Sequence, residues 1–444
     1  TPLDTIKGNN EIVKPNTHYV DISKLELSNE DIDYYKSLLK RKYTNVEIYD
    51  LMQFNSEHAR HHFFKGTLIE NDVVLKTSLF DKIKKTKYNT TNSIVSFKDN
   101  ASVINGENVH YFYTNYNSRQ CSTVKSNVHY SFKAETHNFP TAISPFPGAA
   151  TGVGGRIRDT ICVGRGGQLI GGLAGYSVGD INPINPSYYD NFHNDPLTIL
   201  IEASNGASDY GNKIGEPLIG GFTREYKDYN YEYVKPIMFS GGIGRILDSN
   251  IHKHNSEPYL LIGRVGGAAY RIGMGGGEAS SRIDVTDDDF NAVQRGDPFT
   301  ANKIVKFIRE CSNCNVNPIL SLHDQGSGGM ANVTRELIEP YGATIFIDKV
   351  FTGDESLGTL EKWVAEYQEQ ISFLFCLEDI STITEIARRE NVSFVAVGYV
   401  NKSNLIVKSK HDSIVPVSLP AEIPVQTKVF HIKKPIDNKK ISIK

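Results

Sequence analysis

The chain has 444 residues, 39% of them hydrophobic and 22% charged, with a formal net charge of −3. That length exceeds a single core and predicts two domains of roughly 150–200 residues. The balanced charge, without a long run of one sign, excludes a broad nucleic-acid surface, and no segment approaches the roughly 18–20 apolar residues of a membrane span.

The opening TPLDTIKGNNEIVK lacks the apolar stretch of a signal peptide. With no initiator Met, the chain is expected to be an excerpt of a longer protein. Residues 1–50 read as a helical lead-in, because Ser28-Asn-Glu-Asp31 and Thr44-Asn-Val-Glu47 both match an N-terminal capping box. Ile48, Leu51 and Met52 then share one helical face. The polar stretch DKIKKTKYNTTNS (81–93) reads as a mobile surface insert. From about residue 129, short apolar runs such as TILIEA (198–203) alternate with Gly/Pro-rich turns and read as strands carrying functional loops. A second unit begins near YLLIGRVGG, with the join near 245–257. It continues with a helix through Ala301, Ile304, Val305 and Ile308. A strand–helix–strand unit follows, from ISFLFCL (371–377) through Ile383, Ile386 and Ala387 to FVAVGYV (394–400). The tail after 410 reads as a linker onward. Five cysteines, an odd and sparse set, suit reduced cytoplasmic thiols, and the lone Cys311/Cys314 CxxC has no second pair at zinc spacing. The fold class is mixed α/β.

Polar residues gather beside glycines. GAATGVGGRIRD (148–159) would let backbone approach a ligand and its amides cradle phosphates, or it would be a turn-rich corner. No GxxxxGK[ST] phosphate loop occurs. Glu135, Asp159 and Asp324, expected on loops, suit a hard cation such as magnesium held with a nucleotide's phosphates, or else cap turns. His58 and His137 fit general acid–base work or stabilisation of a transferring phosphoryl group, with a structural role open for each; His61 and His62 read as structural. Arg158 and Arg295 fit a phosphate clamp or surface ion pairs. The set points to a magnesium-phosphate enzyme.

NSEHARHHFFKG, KAETHNFPTAISPFPGAATGVGGRIRDT, IEASNGASDYGNKIGEP, KPIMFSGGIG, YRIGMGGGEASS, AVQRGDP, LHDQGSGGMANV and EYQE follow one another here. In that order they resemble the formylglycinamide ribonucleotide amidotransferases, in their long eukaryotic form, from about residue 25 to about 400. The resemblance implies a ligase of de novo purine synthesis. ATP would activate the amide oxygen of formylglycinamide ribonucleotide as an iminophosphate, and ammonia from glutamine would displace phosphate to give formylglycinamidine ribonucleotide. It also implies a fold of the aminoimidazole ribonucleotide synthetase-like superfamily. The expected division is a lead-in (1–50), a barrel-forming ATP-binding domain (51–250), an α/β domain (256–415) and a linker (416–444). On this resemblance the chain is expected to lack the second synthetase repeat and the glutaminase domain, and so to self-associate or to come from a longer chain that pairs it internally.

By the same resemblance, His58 and His137 are catalytic. Lys133 and the whole run Gly148, Ala149, Ala150, Thr151, Gly152, Val153, Gly154, Gly155, Arg156, Ile157, Arg158 and Asp159 meet ATP. Thr136, Asn138, Arg158, Gln294, Glu366 and Gln368 meet the ribonucleotide, and Glu135, Asp159 and Asp324 hold Mg2+. Ala59 stands where many members have Cys, Phe139 where many have His, and Tyr367 where many have Ser. Two alternatives are a non-catalytic nucleotide-binding assembly half and a stand-alone aminoimidazole ribonucleotide synthetase-like enzyme; NSEHARH and EYQE argue against the latter.

Overall fold

A computed structural model describes residues 14–25, 27–116, 118–182, 194–228, 232–281 and 289–433. The first thirteen residues of the expected lead-in and the last eleven of the expected linker lie outside the described residues.

The lead-in starts with a short antiparallel pair, β1 (Tyr19–Val20) and β2 (Tyr43–Thr44). Helix α1 (Asn29–Leu38) is capped by Ser28. Helix α2 (Asn45–Phe54) has both halves of its capping box: Thr44 Oγ1 accepts from the Glu47 amide and Glu47 Oε2 accepts from the Thr44 amide, each at 3.0 Å. Glu47 also accepts from Arg41 and from the Ser418 amide, 2.8 Å away, so the cap ties the lead-in to the far end of the chain. Buried Asp50 takes both Arg335 nitrogens and the Trp363 indole N–H. Val46, Ile48 and Leu51 share one core with Met330, Leu337 and Trp363. The lead-in is thus part of the second unit's core, and α2 runs straight through residue 50.

Two short helices, α3 (Glu57–Arg60) and α4 (His62–Lys65), turn at His61, whose φ is 53°. β3 (Thr67–Glu70) and β4 (Val73–Val74) follow. The expected mobile insert begins instead inside α5 (Leu79–Lys84), capped by Ser78, and continues as a 3-10 turn, Lys85–Asn89. Its side chains are exposed, which is why no apolar periodicity announced the helix.

β5 (Ser93–Val95), β6 (Ser102–Thr114), β7 (Cys121–Thr136), β8 (Gln168–Val178), β9 (Leu218–Glu225) and β10 (Ile237–Leu247) form a sheet ordered β5-β6-β7-β10-β8-β9. Only the β8–β9 pair is parallel. Helix α6 (Asn138–Ile143) leads into α7 (Pro145–Ile161), which packs on β7, β8 and β10 with α8 (Pro196–Ile214) beside it. Both long helices correct the sequence reading. TILIEA lies inside α8, where Asp195 caps, Pro196 occupies the first turn, and Ile199, Ala203, Ala207 and Tyr210 are buried at helical spacing. GAATGVGGRIRD is likewise no loop: it is the body of α7, with Ala149, Val153, Ile157 and Ile161 buried every fourth residue. The opposite face of this sheet leaves Tyr130, Phe132, Ile219 and Phe222 exposed.

The second unit is a seven-stranded sheet. It comprises β11 (Leu261–Gly266), β12 (Ser321–Asp324), β13 (Gly342–Phe346), β14 (Gln370–Phe375), β15 (Ser393–Asn401), β16 (Leu405–Lys408) and β17 (Val417–Leu419), ordered β12-β14-β11-β15-β13-β16-β17. Its helices are α9 (Gly276–Ser280), α10 (Asp289–Ala292), α11 (Pro298–Ser312), α12 (Gly329–Ile338), α13 (Thr359–Val364) and α14 (Ile380–Arg389). The strand–helix–strand reading holds with one refinement: β14 and β15 flank β11, both antiparallel to it. β14 is buried throughout; Ile371, Phe373 and Phe375 meet α11 and α14, while Leu374 faces the core shared with α2, α12 and α13. Helix α11 also packs on α7 and α8, joining the two units.

The expected linker is also corrected. β17 is the edge of the seven-stranded sheet, and β18 (Val429–Ile432) runs parallel to β3. Lys428 reaches Asp31 at 3.3 Å. All five cysteines are free thiols, with Cys311 buried in the core. Among the described residues no helix is long and apolar enough to cross a membrane.

Candidate active site

Strand alternation sets one wall of a cavity of about 550 Å³ between the two sheets. At the end of β7, Lys133 and Glu135 point to the face crossed by α7, whose last turns present Arg158 and Asp159. β12 delivers His323 and Asp324 from the other sheet, and α3 brings His58. Lys133, Glu135, Thr136, His137, Asn138, Arg158, Asp159, Gln294, Asp324, Glu366, Gln368 and His58 all line this one cavity. These residues are spread over more than 300 positions of sequence.

The run 148–159 does not contribute as a whole. Only Thr151, Gly155, Arg158 and Asp159 line the cavity. The amides of a helix interior are bonded within the helix and cannot cradle a phosphate. Gly148, Ala149, Ala150, Gly152, Val153, Gly154 and Ile157 pack inward, and Arg156 forms a fully buried bidentate pair with Glu216 on the far side of α7. The glycines have a different use. A Cβ on Gly152 would stand 2.8 Å from His137 Cβ, and one on Gly155 would stand 2.7 Å from Glu135 Oε1. A helix interior normally loses about 1 kcal/mol per Gly relative to Ala; here the missing side chains admit the site residues of β7.

Charges are tightly paired. Lys133 Nζ lies 2.6 Å from Asp159 and 3.7 Å from Glu135; Arg158 lies 3.6 Å from Asp324 and 3.2 Å from Glu369. The Asn100 amide nitrogen donates to Asp159 and Asp324, at 2.8 Å each, and its oxygen accepts from Lys253 at 3.0 Å. Burial pushes the Glu135 and Asp159 carboxyls above their ordinary range, Lys133 opposing and Asp324 adding to the shift. Burial pushes Asp324 the same way, but its hydrogen bond to His323, with the His323 and Arg158 charges, holds it low. The three carboxylates have the donor chemistry of a magnesium site. Their facing oxygens, however, are taken by the ammonium and the amide, and among the described residues no three His, Cys, Asp or Glu side chains close on one point.

His137 is pulled down to about 4 by burial, with Arg158 and His58 adding to the shift against the Gly148 carbonyl. Its Nδ1 sits 2.5 Å from that carbonyl, which assigns the proton to Nδ1 and leaves Nε2 as the lone-pair nitrogen. His58 is likewise lowered, by desolvation and by His61, and has no hydrogen bond among the described residues. Asn138 anchors locally, accepting from the Met238 amide at 3.0 Å. Glu366 accepts from the Gly277 and Gly328 amides, 3.0 Å each, and from Gln294 Nε2 at 2.5 Å. Burial raises Glu366 to about 7 against those three donors. Gln368 Oε1 and Ser327 Oγ are buried and have no hydrogen-bond partner among the described residues.

The departures resolve in space. Phe139 is buried against Ile143 and Val293, and Tyr367 turns its hydroxyl to the Lys362 carbonyl. Ala59 lines the cavity. His62 bonds the Asn55 carbonyl at 2.9 Å, a structural role, and Arg295 caps the carbonyls of Val293 and Gln294 outside the cavity lining. Sequence reasoning missed Arg60, Asn100, Glu336 and Glu369. Asn100 and Glu336 stand outside the quoted motifs and have no spacing signal, whereas Arg60 and Glu369 lay inside NSEHARHHFFKG and EYQE, and their motif neighbours were the available cue.

Two family models match in tandem. "AIR synthase related protein, N-terminal domain" covers residues 99–246 and "AIR synthase related protein, C-terminal domain" covers residues 260–409. The chain belongs to the AIR synthase related family. Within that family it is 44% identical over 401 residues to the probable phosphoribosylformylglycinamidine synthase, chloroplastic/mitochondrial, of Arabidopsis thaliana, covering 85% of this chain and 28% of the relative. To the phosphoribosylformylglycinamidine synthase of Homo sapiens it is 43% identical over 408 residues, covering 86% and 30%. The chain therefore spans less than a third of the length of these two relatives. The structure of T. maritima PurL complexed with FGAR superposes with a TM-score of 0.70 at 23% identity, over 93% of this chain and 59% of that one. The same protein complexed with ATP gives 0.63 at 23% identity, over 88% and 54%. Both show the family fold.

Proposed function

We propose that this chain is the first synthetase half of a phosphoribosylformylglycinamidine synthase, a ligase that amidates formylglycinamide ribonucleotide with ATP and ammonia. The observation that carries the reading is convergence: His58, Glu135, His137, Asp159, Gln294, Asp324 and Glu366 meet around one cavity at the join of two sheets. Its similarity to relatives bearing that name, and to T. maritima PurL complexed with FGAR, ATP, ADP and AMPPCP, supports the substrate assignment.

In this reading the substrate's amide oxygen attacks the γ-phosphorus of ATP and ADP leaves. Ammonia then adds to the imidate carbon, and the C–O bond breaks to release phosphate and leave the amidine. Oxide is not a viable leaving group and phosphate is, which is why the nucleotide is consumed. His137, neutral with its Nε2 unprotonated, suits acceptance of a proton as nitrogen adds; His58, also neutral, suits hydrogen bonding to the reacting oxygen. Arg158 and Lys133 offset charge on the transferring phosphoryl group. Glu135, Asp159 and Asp324 would hold Mg2+ once Lys133 gives way, and the ion would neutralise nucleotide phosphate. Gln294 and Gln368 would orient the ribonucleotide, with Thr136 and Asn138 at its border.

The exposed face bearing Tyr130, Phe132, Ile219 and Phe222 fits the second synthetase repeat, or in its absence a second copy. A glutaminase domain would supply ammonia, and the cytoplasm is the compartment its free thiols favour. The test is product formation by the full-length protein from formylglycinamide ribonucleotide, magnesium-ATP and ammonium chloride. No product under any ammonium concentration would overturn the assignment.

A further inference from the structure

Three lysine or arginine side chains line the cavity, and two of them are neutralised by carboxylates: Lys133 by Asp159 and Arg158 by Glu369. Arg60 is the third, and among the described residues no carboxylate lies within ion-pair distance of it. Its guanidinium is nevertheless fixed. It stacks 3.2 Å from the centroid of the Phe54 ring, and its Nε donates to the Phe54 carbonyl at 2.7 Å. Among the described residues neither terminal nitrogen has a hydrogen-bond partner. Glu336, which also lines the cavity, is engaged by His323 Nε2 at 2.7 Å. Gly326 and Ser327 line the same space, and Ser327 Oγ has no hydrogen-bond partner among the described residues.

We propose that Arg60 is the anchor for the phosphomonoester of the ribonucleotide substrate. This rests on the function proposed above and adds the residue that recognises the substrate's charged end. The planar fork matches a phosphate's oxygens, and a side chain held in place before binding loses little freedom on engaging it. Burial, with nearby Arg335, lowers the Arg60 pKa to about 10, so its charge stands unfavourably until an anion arrives. The nucleotide's phosphates are the competing source. The charged groups around Arg60 include Arg335, Lys65, Glu336 and Glu339, whereas those around Lys133 are Asp159, Glu135 and Asp324. The two centres thus suit two different anions, and Lys133 sits with the metal-type carboxylates that accompany a nucleotide.

The test uses the full-length protein with Arg60→Ala, Arg60→Gln and Arg60→Lys, reading KM for each substrate and, by calorimetry, binding of ribose 5-phosphate. For Ala and Gln the expected result is a rise of about 10–100-fold in KM for formylglycinamide ribonucleotide, the range of a lost charge-assisted contact. KM for ATP should stay within about two-fold, kcat should be largely kept, ribose 5-phosphate binding should be lost, and Arg60→Lys should recover part of it. A rise confined to KM for ATP, or unchanged KM values, would overturn the proposal. Arg60→Gln keeps the stacking surface if Arg60→Ala unfolds. Calorimetry reads the anion site even if the wild type makes no product, which would count against the proposed function and not against the site.

Discussion

A methyl group on Gly152 of α7 would stand 2.8 Å from the Cβ of His137, the residue that follows β7. That contact is closer than a real Cβ tolerates, and its neighbour is a catalytic candidate attached to a strand end that cannot slide freely. Gly152→Ala is expected to leave a folded protein with kcat for ammonia-dependent synthesis at least about 10-fold lower, because a shift of about 1 Å is enough to spoil a reacting geometry. Steady-state kinetics with a thermal melt checks it; an unchanged kcat would mean that His137 does not depend on this packing.

Arg156 offers a contrast three residues before Asp159. Its pair with Glu216 is buried and bidentate, so Arg156→Met, which strands a carboxylate, should destabilise by about 3–5 kcal/mol. KM for ATP should not change. A clear rise in that KM with normal stability would return Arg156 to the nucleotide site.

Glu366 carries a pH signature. Its folded pKa, raised to about 7 by burial, exceeds that of an exposed glutamate. Its contribution is therefore full below the unfolded value near 4.5 and is lost as pH rises through about 7. Chemical denaturation of wild type and Glu366→Gln between pH 4.5 and 8 should show a decline in the wild type that the variant lacks. Parallel curves would show that Glu366 does not titrate in this range.

The exposed sheet face predicts association. The piece studied alone should self-associate in sedimentation experiments as concentration rises, and Phe132→Glu with Phe222→Glu should shift it toward monomer. A strictly monomeric wild type over a wide concentration range would contradict the face's assignment.

What the sequence made legible was the cast of the site, and what it hid was the scaffold. Glu135, His137 and Asp159 could be picked out because carboxylates and histidines among glycines have few structural uses. The glycines themselves misled: GAATGVGGRIRD has loop composition, and only its burial against β7 shows it as a helix whose missing side chains make room. TILIEA is too short to separate strand from helix, and α8 was decided by Asp195, Pro196 and burial continuing to Tyr210. The tail looked like a linker because β17 and β18 are edge strands of three and four residues, stabilised by partners far away in sequence.

The central claim is that His58 and His137 act on one substrate in this cavity. The most direct measurement is the ammonia-dependent rate of formylglycinamidine ribonucleotide formation by full-length wild type, His58→Ala and His137→Ala, with folding monitored in parallel. The account predicts folded variants with activity reduced by at least about 100-fold, the lower range of a lost acid–base group. Near-normal rates in both folded variants would contradict it.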